Sequence, residues 1–134
     1  MTPVLVDSNV ILDIATNDPI WASWSGEALG RAADEAVLVI NPLIYAEISI
    51  GYDQIEALET ALADAFRRDP LPWEAAFLAG KCFADYRRRG GDRHSPLPDF
   101  YIGAHAAVSG FRLLTRDTAR YRSYFPTVPL IHPS

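Results

Sequence analysis

The chain has 134 residues, 49% of them hydrophobic, and a formal net charge of −5. That length suits one domain, and so high an apolar fraction excludes a disordered chain. A single cysteine, Cys82, excludes an internal disulfide framework; no uncharged run reaches the ~18 residues of a membrane span, and no basic leader precedes the first strand-like segment, so a soluble cytoplasmic protein is expected.

Val4-Leu5-Val6 is a short apolar run that ends at Asp7, the pattern of a buried parallel strand. Ser8 or Asn9 can cap the helix that follows over Val10–Ala15, and Asp18-Pro19 breaks it. Trp21, Trp24, Ala28 and Ala32 recur at helical spacing and predict a helix over 20–35. Val37–Ile40 is the second strand. Asn41-Pro42 then starts a helix with a good cap and a good first residue, Glu47 lies one turn in, and Gly51 ends it. Asp53-Gln54-Ile55-Glu56 opens a helix whose stripe of Ile55, Leu58, Leu62 and Phe66 runs to about Arg68. After an extended Pro70-Leu71-Pro72, a helix over 73–89 is expected to bury Ala76, Phe77, Gly80, Phe83 and Ala84. A loop by composition covers 90–97. Pro98 suits the first turn of the next helix, which carries Asp99 at its positive end and stops at Gly110. Arg112–Thr115 is a third strand, 118–123 a short helix, and Val128–Ile131 a fourth strand.

Strands alternating with helices predict a single α/β domain with a parallel sheet covered on both faces. Ligands of such sheets bind beyond the carboxyl ends of the strands. Asp7 ends the first strand, Asp117 follows the strand at 112–115, and Glu47 stands in the helix after the second strand. Asp99 opens the helix that leads into the strand at 112–115, which spacing alone does not assign to the same edge. Each acid singly has a structural reading: strand end, helix cap, surface acid, acidic first turn. Four together would repel unless protonated or bound to a cation. Hard oxygen donors favour magnesium or manganese, since neither His nor Cys shows a ligand-like spacing. Such an ion can bind a phosphate oxygen and activate water, so phosphodiester hydrolysis is the reaction class expected. Ser8, Asn9 and Thr115 are placed to orient the carboxylates.

Four segments then carry a resemblance: Val6-Asp7-Ser8-Asn9-Val10-Ile11-Leu12-Asp13, Asn41-Pro42-Leu43-Ile44-Tyr45-Ala46-Glu47, Leu97-Pro98-Asp99-Phe100-Tyr101-Ile102-Gly103-Ala104-His105-Ala106 and Leu113-Leu114-Thr115-Arg116-Asp117. In this order and spacing the chain resembles the PIN-domain ribonucleases, most of all the VapC-type toxins of bacterial toxin–antitoxin pairs, from Val4 to Ile131. Arg120-Tyr121 and Tyr124-Phe125-Pro126 also look family-like. The resemblance implies a three-layer α/β/α sandwich and a magnesium- or manganese-dependent endoribonuclease that cuts transfer or ribosomal RNA. It implies a cognate antitoxin that blocks the site, and a homodimer or a toxin–antitoxin hetero-oligomer. Asp7 and Asp99 would be the first direct metal ligands, Asp117, also a metal residue, and Glu47 would complete the acidic catalytic set by binding metal directly or through water, and Asn9 and Thr115 would support it.

Charge is unevenly spread. Residues 1–66 hold eleven acids and one arginine, whereas residues 67–134 hold six acids and eleven bases, ten of them arginine. A basic half can face phosphates while the whole chain stays acidic. Arg87–Arg89, Arg93, Arg112, Arg116, Arg120 and Arg122 could line an RNA path, with Arg116 first because it adjoins Asp117, and His94 and Arg93 offering loop contacts. Arg87–Arg89 also have a structural reading at a helix C-terminus. His105 lies about 600° round the helix from Asp99 and is expected to be packed or on the surface rather than catalytic. Cys82 reads as a small hydrophobe. Trp21, Trp24, Tyr45 and Tyr52 are expected in the core, or else in a groove for an antitoxin segment.

Two other classes stay open. One is a silent domain that binds RNA or protein, which metal binding without cleavage would favour. The other is a different magnesium-using α/β enzyme, against which position 9 is Asn rather than a second acid. No Gly-rich or Walker-type loop is present.

Overall fold

The first apolar run becomes the middle of the sheet. In the computed structural model, which describes residues 1–91 and 97–134, β1 (Val4–Val6) is wholly buried between β2 (Leu38–Ile40) and β4 (Arg112–Leu114). Leu5 stands opposite Val39 on one side and Leu113 on the other. The short strands β3 (Arg67–Arg68) and β5 (Leu130–Ile131) close the two edges, giving the all-parallel order β3-β2-β1-β4-β5 among the described residues. Parallel neighbours need long crossovers, and helices supply them: α1 (Ser8–Ala15), α2 (Ala22–Glu35), α3 (Pro42–Ser49), α4 (Ile55–Leu62), α5 (Trp73–Arg88), α6 (Leu97–Ser109) and α7 (Ala119–Tyr124). The result is the expected three-layer α/β arrangement. No helix among the described residues is long and apolar enough to cross a membrane.

The sheet reverses at β1, since the chain goes from β1 to β2 on one side and reaches β4 on the other. Such a reversal opens a crevice at the carboxyl ends of the two central strands. Asp7 leaves β1 at that point, and its backbone N–H donates to the Leu114 carbonyl at 2.9 Å. Asn41 caps α3 as its residue type favours, its Oδ1 accepting from the Ile44 N–H at 2.9 Å, with Pro42 at the first turn. At the far end of α6, Gly110 takes a φ of +70°, and the Phe111 N–H turns back to the Ala106 carbonyl at 2.9 Å. That is a left-handed cap, which favours glycine. Gly103 serves a different need. A Cβ there would lie 2.4 Å from the Phe125 ring, so the missing side chain lets α6 and the residue after α7 touch.

Two expectations need correction. The helix predicted to run to about Arg68 stops at Leu62, because Ala63 takes a φ of +48°, and Arg67–Arg68 form β3 instead. Two arginines carry no apolar strand signature. They are tolerated on an edge because Arg67 pairs with Asp69 at 2.8 Å and Arg68 with Glu59 at 2.9 Å. The buried face of α5 is also turned from the one expected. Ala75 and Ala79 are fully buried, whereas Phe77 is 69% exposed and Gly80 lies in the open. Small residues let α5 pack close against α6, and Phe83 and Tyr86 of α5 lie against Phe100 of α6 at ring distances of 5.7 and 5.4 Å.

Candidate active site

Asp7 is the centre of the candidate site. It is 5% exposed, and each of its oxygens is held. Oδ1 accepts from the Ser8 N–H at 2.8 Å. Oδ2 accepts from the Thr115 hydroxyl at 2.8 Å, the Tyr121 phenol at 3.1 Å and, at 3.5 Å, the Asn9 amide. Burial pushes the Asp7 carboxyl up from its ordinary range, the charge of Glu47 adds to this, and the bonds from Thr115, Tyr121 and Ser8 oppose it. Asn9 and Thr115, read from the sequence as supporting residues, thus both reach Asp7, and Asn9 also donates to Thr115 at 3.4 Å.

Glu47 faces the same place from α3. Its Oε1 accepts from the Ser8 hydroxyl at 3.0 Å. Burial raises its carboxyl, and the Asp99 charge raises it further. Asp99 arrives from the first turn of α6. Because that helix runs back toward the start of β4, its N-terminus lies at the carboxyl edge, which spacing alone left open. Burial and the Asp7 charge push the Asp99 carboxyl up to about 6; Asp117 adds to the rise and Arg120 works against it. Asp117 sits on the exposed side of the group, in a loop tightened by its N–H, which donates to the Thr115 hydroxyl at 3.1 Å. Asp7 thus feels the charge of Glu47, Glu47 that of Asp99, and Asp99 those of Asp7 and Asp117.

Hard carboxylate oxygens under mutual repulsion are the donor set a magnesium or manganese ion takes, and in that chemical sense the residues fit. Among the described residues no three Asp, Glu, His or Cys side chains are already drawn together as a ligand set. Asp99 Oδ2 is held at 2.6 Å by Arg120 Nη1, and Glu47 is held by Ser8.

Arg120 and Tyr121, which spacing did not assign to the site, both reach it from α7. Tyr121 is 1% exposed, and its phenol is raised well above its ordinary range by burial and by the charges of Asp7 and Asp99. It stays a neutral donor. Arg116 has a more structural setting than its neighbour Asp117 suggested. Two of its side-chain nitrogens bond the buried Asp13, its guanidinium lies 5.0 Å over the Trp21 ring, and its N–H donates to Asn9 Oδ1 at 3.4 Å. Asp13 also accepts from Ser25 at 2.7 Å, and because it lies in what reads as an ordinary amphipathic helix, nothing in the sequence marks it as the partner of Arg116.

The other arginines divide. Arg112 begins β4 and so lies at the amino edge, away from the acids, where it donates to the Thr2 carbonyl at 3.2 Å. Arg88 and Arg89 pair with Asp85, and Arg122 bonds His132. Arg93 and His94 lie outside the described residues. His105 is packed: it is 1% exposed, and its Nδ1 accepts from the Asn41 amide at 2.9 Å. That amide is oriented by the Asn41 cap, so the ring is neutral with its proton on Nε2, in keeping with the lowering by burial. Trp21 meets Trp24 edge-on at 6.5 Å, and Trp24, Tyr45 and Tyr52 pack partly buried against the core.

A sequence model of the family described as "PIN domain" matches residues 4–125. No curated protein matches the chain in sequence. Among solved structures, the chain is similar to VapBC2 from Rickettsia felis bound to a DNA fragment from their promoter, with 15% identity, a TM-score of 0.75, and 98% of this chain and 99% of that chain covered. It is also similar to VapBC-1 from nontypeable Haemophilus influenzae, with 17% identity, a TM-score of 0.73 and 97% of each chain covered. A toxin-antitoxin complex from Klebsiella pneumoniae matches with 21% identity, a TM-score of 0.73 and 98% of each chain covered. At these identities the likeness is one of fold.

Proposed function

The chain belongs to the PIN-domain family, and from that premise we propose that it is a metal-dependent endoribonuclease, the toxin of a toxin–antitoxin pair, acting in the cytoplasm on structured RNA of translation. The observation that carries the reading is that Asp99 lies within reach of the charges of Asp7 and Asp117 at the sheet's crevice, which with burial push it up to about 6. A carboxylate group so placed is costly to the fold and is used where charge must be held against a cation.

In this reading Asp7 and Asp99 hold magnesium or manganese, and Asp117 and Glu47 complete the acidic set directly or through water. Bound there, the ion would polarise a phosphodiester oxygen and lower the pKa of water for in-line attack. The chain's own residues prepare the site. Thr115, Tyr121 and Asn9 fix Asp7 Oδ2, which leaves the carboxylate little freedom to turn. Ser8 ties Glu47 to the strand end that carries Asp7. The partner is an antitoxin that covers this edge, as the toxin–antitoxin assemblies among the similar structures support, and the protein works as a homodimer or within a hetero-oligomer.

The test is cleavage of a pool of cellular RNA, transfer and ribosomal RNA included, by purified protein free of antitoxin. Magnesium, manganese and EDTA are compared, with Asp99→Asn beside the wild type. Discrete fragments that need metal and vanish in the variant are expected, and their ends identify the target. Folded protein that cuts nothing in either metal would leave a silent binding domain in place of a nuclease.

A further inference from the structure

Arg120 reaches into the acid cluster from α7. Its Nη1 lies 2.6 Å from Asp99 Oδ2, and the two side chains are 22% and 23% exposed. The guanidinium does not hang on Asp99 alone. Its carbon lies 5.3 Å from the centre of the Phe100 ring and 5.7 Å from that of Tyr86, so the planar cation rests on an aromatic shelf built by α5 and α6. The next residue, Tyr121, is anchored by its phenol to Asp7. One short helix therefore delivers a neutral donor to one acid and a cation to another.

We propose that Arg120 alternates between two partners: it holds Asp99 against the divalent cation, and once the cation takes that carboxylate it turns its charge to the substrate phosphate. The proposal rests on the metal-dependent reading above. Three observations carry it. First, the bond is made to Asp99 Oδ2, so a cation ligated through that oxygen and the guanidinium compete for the same lone pairs, with like charges facing each other. Second, the shelf of Phe100 and Tyr86 does not depend on Asp99, so the guanidinium keeps a seat beside the site after it gives up the carboxylate. A planar, weakly hydrated guanidinium suits both stacking and a phosphate, and a lysine does not match it. Third, the two acids differ in access. The Asp13 side chain held by Arg116 is 4% exposed, whereas that of Asp99 is 23% exposed, so a cation from solvent can reach Asp99 and not Asp13.

The experiment reads binding, not turnover. Manganese uptake by RNA-free protein is measured by calorimetry for the wild type, Arg120→Gln, Arg120→Lys and Arg122→Gln. Arg122→Gln makes the same change in net charge on the same helix, at a residue that bonds His132 instead. Arg120→Gln is expected to bind manganese up to about fivefold tighter than wild type, given what a part-exposed ion pair is worth. Arg120→Lys should fall between, and it carries the test if the Gln variant does not fold; Arg122→Gln should match the wild type. In a second arm, binding of an uncleavable 2′-O-methyl RNA oligonucleotide is followed in manganese. Arg120→Gln should weaken it and lower its salt dependence by about one phosphate contact. Equal manganese affinity in wild type and Arg120→Gln, equal tightening in Arg122→Gln, or unchanged oligonucleotide binding would each overturn the proposal while leaving the nuclease reading intact. Failure of the wild type itself to take up manganese would overturn both.

Discussion

The Asp13 side chain is 4% exposed, and Arg116, 103 residues further on, meets it with two nitrogens at 2.6 and 2.9 Å. The pair ties α1 to the loop that follows β4. It therefore braces Thr115 and Asp117 from behind, while Asn9, one turn before Asp13, holds the Arg116 N–H. Removing one partner strands the other in the interior. Arg116→Ala is expected to cost about 3–5 kcal/mol, the range for an uncompensated buried charge. The double variant Asp13→Ala/Arg116→Ala should cost less than the two single changes added together. Urea unfolding of the three variants measures both quantities.

The acid cluster sets a pH dependence with a definite sign. Asp99 is raised in the fold, from 3.8 to about 6, so the folded chain favours its protonated form more than the unfolded chain does. Its contribution is neutral below the ordinary value and becomes unfavourable as pH rises through about 6. Asp7 and Glu47 are raised as well and act in the same direction. In EDTA the melting temperature should therefore rise by a few degrees between pH 7 and pH 5, about 1 kcal/mol after allowance for solvent screening. Asp99→Asn should flatten that rise. A melting temperature that falls over the same interval would contradict the assignment.

Tyr121 bears on Asp7 through one hydroxyl. Tyr121→Phe keeps the ring in place and removes the donor to Oδ2. The expected loss of stability is about 1 kcal/mol, and, on the proposed metal-dependent reading, manganese affinity should fall about tenfold because Asp7 loses an orienting bond. Thermal melting and metal calorimetry on the same sample separate the two effects.

Gly103 admits no side chain. Its added Cβ would meet three atoms of the Phe125 ring, the nearest at 2.4 Å. Gly103→Ala should cost about 1–3 kcal/mol by overpacking. Gly80, whose Cβ would meet nothing within 4 Å, should gain rather than lose from the same change, because alanine favours the helix. Paired denaturation curves test the contrast.

Much of the site was legible because its chemistry is local in sequence. Asp7 ends an apolar run, Asn41-Pro42 announces the helix that carries Glu47, and Thr115 and Asp117 follow a strand. What was illegible depends on convergence. Nothing near Arg120 points to Asp99, and nothing near Asp13 points to Arg116, because each partner arrives from a distant element. β3 was missed for a different reason. Its two residues are charged, exposed and stabilised by ion pairs and a single neighbouring strand, so no hydrophobic pattern marks it. On α5 helical spacing leaves the rotation of the stripe open: Phe83 of the expected face packs against Phe100, but Ala75 and Ala79 make the close contact and Phe77 lies outside.

The strand made first stands in the middle of the sheet. β1 has β2 on one side, but its other neighbour is β4, and the two shortest bonds to Asp7 Oδ2 come from residues 108 and 114 positions later. A chain emerging from the ribosome can form its early helices and the β1–β2 pairing long before these partners exist. Until Tyr121 has emerged, Asp7 lacks one of the hydroxyls that hold its Oδ2, and Asp99 lacks Arg120. Contacts of such separation form late because the intervening chain must be ordered first. A nascent or prematurely terminated chain that stops short of α7 therefore carries the acids without the site. The order of synthesis thus delays the completed set of contacts until α7 has been made.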